Sequence, residues 1–337
     1  MTGTTSAVQS FHGGDDLIVV SGVTKAFDDV TAVDGINFTV TGGELFGFLG
    51  PNGAGKTTTI TMLTGLARPD GGDIRIAGLD VTRKTKSAQH LIGVVPDESN
   101  LYPELTGFDN LCFCASLYGM QKGERWSRAA ALLETFGLDD AAQRKFATYS
   151  KGMKRKLTIA AGIIHDPPIL FLDEPTTGID VASARLIREI VDDLHRRGTT
   201  IFLTTHYIEE AERLCDRIAF IVNGRIVAMD TVEHLVAPVK DRHVMELTVM
   251  KADKFLVTAL AAAFPFWDIM MISPGRIRVE AAEPIVVGPL VRAIEERGGE
   301  VMEARRLRPS LEDVFVRVTG IEADVMKKEK EKRGGGA

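Results

Sequence analysis

From Leu17 to about Ala237 the chain alternates short apolar runs with longer stretches of helical periodicity. The runs LIVVSGV, GINFTV, ELFGFLG, IGVVP, ILFLD, TIFLTT and RIAFIV have the length and composition of strands. Strands alternating with helices predict an α/β domain with a largely parallel sheet over residues 17–237. After Pro238 the order changes to VMELTVM, a stretch with Leu256, Leu260 and Phe264, WDIMMI, the turn Ser273-Pro274-Gly275, RIRVE, and a helix with a strand behind it. That helix has Pro289 near its first turn and Gly298 just past its end, the expected start and stop residues. A β-α-β-β-α-β order over 238–320 predicts a second, smaller α+β domain of ferredoxin-like type. Residues 1–16 read as a solvated leader and 321–337, which end in KKEKEKRGGGA, as a charged and glycine-rich tail. No internal repeat is present, so each motif occurs once.

Composition narrows the function classes. With 337 residues, 45% hydrophobic and 26% charged, the chain can bury two ordinary cores, which excludes collagen-like and wholly disordered readings. A net charge of −6 argues against a surface built to neutralise many phosphates, so nucleic acid is not the expected partner. Cys112, Cys114 and Cys215 have no metal-ligand spacing and suit a reducing cytosol. The leader has no apolar core of signal-peptide length, and the uncharged, largely apolar run Phe255 to Trp267 stops short of the ~20 residues a membrane helix needs.

Three segments carry chemistry. Between the strand ELFGFLG and the helical TTITMLTGL lies Gly50-Pro51-Asn52-Gly53-Ala54-Gly55-Lys56-Thr57, a complete G-x-x-x-x-G-K-[ST] match in strand-loop-helix context. Its glycines let backbone N–H groups wrap phosphates, Lys56 offers charge to the β/γ oxygens, and Thr57 offers a hydroxyl to Mg²⁺. Thr58, next in the helix, joins these as a candidate nucleotide ligand. The run Ile169-Leu170-Phe171-Leu172 ends in Asp173-Glu174, carboxylates at the end of a buried strand. Asp173 is suited to Mg²⁺, and Glu174 to accepting the proton of the attacking water. In Tyr149-Ser150-Lys151-Gly152-Met153, Ser150 can serve as a helix N-cap. Its hydroxyl and the Gly152 N–H at a positive helix end also make a second anion site, which implies a second nucleotide.

These motifs, with Gly178-Ile179-Asp180 and a strand ending in His206, stand in the order and spacing of the nucleotide-binding domains of ABC transporters over residues 17–237. YSKGMKRKL, LDEPTTGID and THYIEEAE resemble the ATPase subunits of ABC-2-type exporters, the daunorubicin-resistance and sodium-extrusion kind. PSLEDVFVRVTG, with Ser310 and Asp313 placed as a capping box, is similar to the end of the accessory domain such subunits carry. The resemblance implies a homodimer sandwiching two ATP molecules, Ser150 and Gly152 of one subunit meeting the γ-phosphate held by Lys56 of the other. It further implies that Phe27 stacks on adenine, Asp180 lies at the dimer seam, and His206 contacts the γ-phosphate and positions Glu174. Residues 97–166 then form a helical lid that receives a separate multi-span permease, with Tyr102, Pro103, Phe108 and Leu111 as candidates for the docking groove. The subunit would be cytoplasmic, peripheral on the inner face of the membrane.

The expected function is ATP hydrolysis powering that permease; the alternative is a non-transport ABC ATPase acting on nucleic acid or ribosomes. A metabolic P-loop kinase would have no use for the Ser150 segment. One departure concerns Ile92-Gly93-Val94-Val95-Pro96-Asp97-Glu98, where Asp97 stands in place of the family's usual glutamine. Asp97 is shorter and anionic, so it can approach Mg²⁺ through water but repels a γ-phosphate when the metal is absent.

Overall fold

A computed structural model of the chain describes residues 14–240, 242–307 and 310–321. Of the expected leader and tail, residues 1–13 and 322–337 lie outside the described residues. The described residues fall into two compact units, the first running to Thr231 and the second Val232–Ile321. The second unit starts at Val232 rather than after Pro238, because Pro238 lies inside the helix Val232–Lys240.

Among its described residues the first unit has a six-stranded and a four-stranded sheet. The six-stranded order is Arg225–Thr231, Arg217–Val222, Leu45–Leu49, Thr200–Thr205, Ile169–Asp173, Ile92–Val95. Every pairing in it is parallel except that of the edge strand Arg225–Thr231. Leu45–Leu49, Ile169–Asp173 and Thr200–Thr205 are buried at every position, as parallel strands covered on both faces must be.

The runs LIVVSGV and GINFTV depart from the parallel expectation. They lie in the strands Asp16–Phe27 and Val30–Thr41, which pair antiparallel and join Gly71–Ile76 and Leu79–Asp80 in the four-stranded sheet. The reason is the connection: Phe27 pairs with Val30 across only Asp28 and Asp29, whereas parallel neighbours need a crossover of about a dozen residues or more. Phe38 of this hairpin stacks on Phe46 at 5.5 Å and on Phe202 at 5.8 Å, which packs the two sheets together.

The parallel strands deliver the motifs to one edge. Leu45–Leu49 ends at the phosphate loop, Ile92–Val95 before Pro96-Asp97, Ile169–Asp173 at Glu174, and Thr200–Thr205 before His206. Ligands of such sheets bind at the carboxyl ends of the strands. The segment between Asp97 and Ile169 is helical, with Gly107–Leu117, Lys122–Thr135 and Lys151–Gly162. Leu111, an expected docking residue, is fully buried and belongs to the packing of these helices.

In the second unit the antiparallel sheet runs Asp268–Ser273, Arg276–Ala281, His243–Met250, Glu300–Leu307. The helices Lys254–Ala263 and Val287–Glu295 bury Leu256, Leu260, Leu290 and Ile294 in a core with Met245, Leu247, Ile277 and Val279. Ser310 and Asp313 form the capping box of the helix Leu311–Thr319, the Ser310 N–H donating to Asp313 Oδ2 at 2.8 Å.

Candidate nucleotide-binding and hydrolysis site

The helix Lys56–Leu63 has Gly55 as its N-cap and no side-chain cap, so no side chain competes with a ligand for its first amides. Gly55 has φ +106°, and a Cβ there would sit 2.4 Å from Ala32 O, so only glycine fits. The hairpin that carries Ala32 thus abuts the phosphate loop, and near its tip Phe27 is 52% exposed with Lys25 Nζ 5.4 Å from its ring centroid. A half-exposed aromatic ring is a surface on which a flat ring can stack. Ala54, Gly55 and Lys56 are buried, Pro51 and Thr58 half-buried, and Asn52, Gly53 and Thr57 exposed.

The Lys56 ammonium donates to Gly50 O at 2.6 Å and Pro51 O at 3.2 Å, and lies 3.5 Å from Glu174 Oε1. Glu174 Oε2 accepts from Thr177 Oγ1 at 2.9 Å and from His206 Nδ1 at 2.6 Å. Because a carboxylate only accepts, the proton of this pair belongs to Nδ1. Burial on its own would raise the Glu174 carboxyl, but the hydrogen bond and charge of His206, the Lys56 ammonium and the Thr177 hydroxyl outweigh it and hold Glu174 at about 2. Glu174 also has φ +50°, a region non-glycine residues rarely occupy and one associated with functional sites.

Asp173 Oδ2 accepts from Thr57 Oγ1 at 3.1 Å, and its Oδ1 accepts from Thr204 Oγ1. Burial raises the Asp173 carboxyl from its ordinary value, opposed by those two hydroxyls, while the charges of Glu174 and Asp97 raise it further. Asp97 itself is exposed and within electrostatic reach of this group. One carboxylate and one hydroxyl, side by side, form the oxygen donor set that Mg²⁺ takes when phosphates complete its shell. Among the described residues no cluster of three or more His, Cys, Asp or Glu would hold a metal by itself.

Ser150 and Gly152 occupy a different place. Ser150 caps the helix Lys151–Gly162 by accepting from Met153 N at 3.2 Å. A Cβ on Gly152 would meet Ser183 Oγ at 2.7 Å and Asp180 Oδ2 at 2.9 Å, so this turn packs on its own Asp180 segment. Asp180 in turn caps the helix Val181–Arg196 through Ser183 N at 2.8 Å. The structure therefore gathers Lys56, Thr57, Asp173, Glu174 and His206 into one cluster, and Ser150, Gly152 and Asp180 into another.

Four supporting residues escape motif reading. Thr177 and Thr204 hold the two carboxylates as described. Glu210 is buried, raised by that burial, and accepts from Thr176 Oγ1 at 2.8 Å and Thr205 Oγ1 at 3.5 Å, tying the segments that flank Glu174 and His206. Arg155 is the fourth. A polar residue behind a motif gives no local signal of what it reaches.

Residues 33–177 match the family model described as ABC transporter. The chain is 38% identical over 307 residues to the linearmycin resistance ATP-binding protein LnrL of Bacillus subtilis, spanning 90% of this chain and 98% of that one. It is 46% identical over 218 residues to the daunorubicin/doxorubicin resistance ATP-binding protein DrrA of Streptomyces peucetius, spanning 65% and 66%. A dimeric ATP-binding cassette in a post-hydrolysis state, bound to ADP and Pi, superposes with a TM-score of 0.59 at 25% identity, covering 64% of this chain and 98% of that one.

Proposed function

Because the chain belongs to the ABC transporter family, we propose that it is the ATP-binding and hydrolysing subunit of an ABC-2-type exporter, acting as a homodimer beneath a separate multi-span permease. The observation that carries the chemistry is Glu174, gripped by His206 at 2.6 Å and facing Lys56 at 3.5 Å beside the phosphate loop. The loop amides and Lys56 bind the phosphates, and Phe27 stacks on adenine. Thr57 and Asp173 would hold Mg²⁺, which supplies positive charge to the β- and γ-phosphate oxygens. Glu174 accepts the proton of the attacking water, and His206 fixes its orientation. Once Lys56 turns to the phosphates, Glu174 loses a cation that depresses it and gains an anionic neighbour; both raise its proton affinity, so substrate strengthens its own base.

Ser150 and Gly152, at a positive helix end, complete the site of the second subunit, with Asp180 at the seam. This explains why they lie apart from Lys56 in one chain. The second unit contributes to self-association rather than to chemistry.

Beside the Asp97 loop a groove of about 400 Å³ is lined by Leu66, His90, Pro96, Leu117 and Tyr118 among others. Leu66 is 69% and Leu117 64% exposed, an unusual expense of apolar surface that a permease segment would cover. Among the described residues no helix is long and apolar enough to cross a membrane. A tagged chain drawn from detergent-solubilised membranes of its own host should bring a multi-span membrane protein with it. Recovery with ribosomes or nucleic acid instead would overturn the exporter reading.

Asp97 gives this site a stronger dependence on free Mg²⁺ than glutamine would. Asp97→Gln should lower the Mg²⁺ concentration for half-maximal ATPase roughly two- to fivefold, the worth of one exposed charge at short range. An unchanged rate and Mg²⁺ titration would remove Asp97 from the site.

A further inference from the structure

Arg155 lies five residues beyond Ser150 on the helix Lys151–Gly162 and is only 4% exposed. A buried cation ordinarily finds a carboxylate as its direct partner. This one donates to main-chain carbonyls: Nη1 to Pro96 O and to Asp97 O at 3.1 Å, Nη2 to Asp173 O at 2.6 Å, and Nε to Pro175 O at 2.9 Å. These carbonyls stand at or just beyond the ends of two neighbouring parallel strands, where Val95 pairs with Leu172. Carbonyls past a strand end lose their ladder partners and need others when buried. Only a planar guanidinium has the donors and the spread to serve both strand ends at once. Burial pulls Arg155 below its usual value, and the charges of Asp97, Asp173 and Glu174 oppose that pull.

The bonds to Asp173 O and Pro175 O fall on either side of Glu174, the residue with φ +50°. Such a conformation persists only where the surroundings over-determine it. We propose that Arg155 is a positioning residue for hydrolysis, whose guanidinium fork locks the backbone on both sides of Glu174 and ties it to the Asp97 loop and to the helix that starts at Ser150. The proposal rests on Glu174 being the base. It makes the anion site that a subunit lends to its partner and the base that it keeps for itself parts of one rigid assembly.

Arg155→Lys keeps the charge and removes the fork; Arg155→Met removes both. In Arg155→Lys, kcat should fall ~10–100-fold, the scale on which a misplacement of about 1 Å acts, while the affinity for a fluorescent ATP analogue stays within about threefold of wild type. Adding Arg155→Lys to Glu174→Gln should reduce the remaining rate by less than about threefold, because two residues acting through one group are not additive. Arg155→Met should show the same split between kcat and affinity. Undiminished kcat in Arg155→Lys, or losses that multiply in the double variant, would overturn the proposal. So would loss of analogue affinity in step with turnover in both variants, since Arg155 would then be a fold element only. Failure of the base assignment looks different: Glu174→Gln alone would turn over at the wild-type rate.

Discussion

Glu174→Gln is expected to slow ATP hydrolysis by about 10²–10⁴, the usual worth of a positioned base, while ATP still binds. Glutamine has nearly the same volume and can still accept from Thr177 Oγ1, which now lies 2.9 Å from Oε2, so the buried turn keeps its packing. What it loses is the capacity to take a proton and the charge facing Lys56 Nζ at 3.5 Å. Removing a negative charge beside the phosphates does not weaken nucleotide binding. Bound ATP that is not cleared should hold two subunits together, so the variant with ATP should elute at twice the monomer mass in size-exclusion chromatography. The wild-type protein should do so only transiently. Wild-type turnover in the variant would sink the assignment.

Lys56→Ala should act on the other step. Lys56 is 6% exposed, and its ammonium is drawn by Gly50 O and Pro51 O toward the loop that wraps the phosphates. A charged hydrogen bond in such a site contributes about 1.5–3 kcal/mol, so ATP affinity should fall roughly 10–100-fold, read with a fluorescent analogue. The same change removes the Lys56 charge that faces Glu174, so the carboxylate is less compensated beside the phosphates, which deepens the loss. Tight binding without Lys56 would argue against the phosphate-loop assignment. The two variants thus have opposite signatures, one binding without turnover and one failing to bind.

Much of this was legible along the chain. The phosphate loop reads directly because its chemistry is local: consecutive amides, two close-approach glycines and a lysine within eight residues. Asp173 and Glu174 read from the apolar run before them, since a strand buried on both faces has few places for a carboxylate except its end. The capping box at Ser310 and Asp313 is likewise a matter of one helical turn. Asp97, Phe27 and His206 carry no such local mark and were reached through the ordered set of motifs around them.

Other features could not be read locally. The strands Asp16–Phe27 and Val30–Thr41 have the apolar content of their neighbours, yet form a separate antiparallel sheet, because pairing direction follows the length of the connection. Leu111 is apolar enough to dock a partner, but the helix face it occupies is turned inward. The sequence by itself determined which residues can do phosphate chemistry, since residue type and short spacing set donors, acceptors and charge. Only the tertiary structure decided that Thr177 joins His206 in gripping Glu174 and that Gly152 packs on the Asp180 segment. It alone brought the carbonyls of Pro96, Asp97, Asp173 and Pro175 around one guanidinium, because those contacts join segments 18 to 59 positions apart. No local rule encodes such distances; they are set when the strands and helices pack.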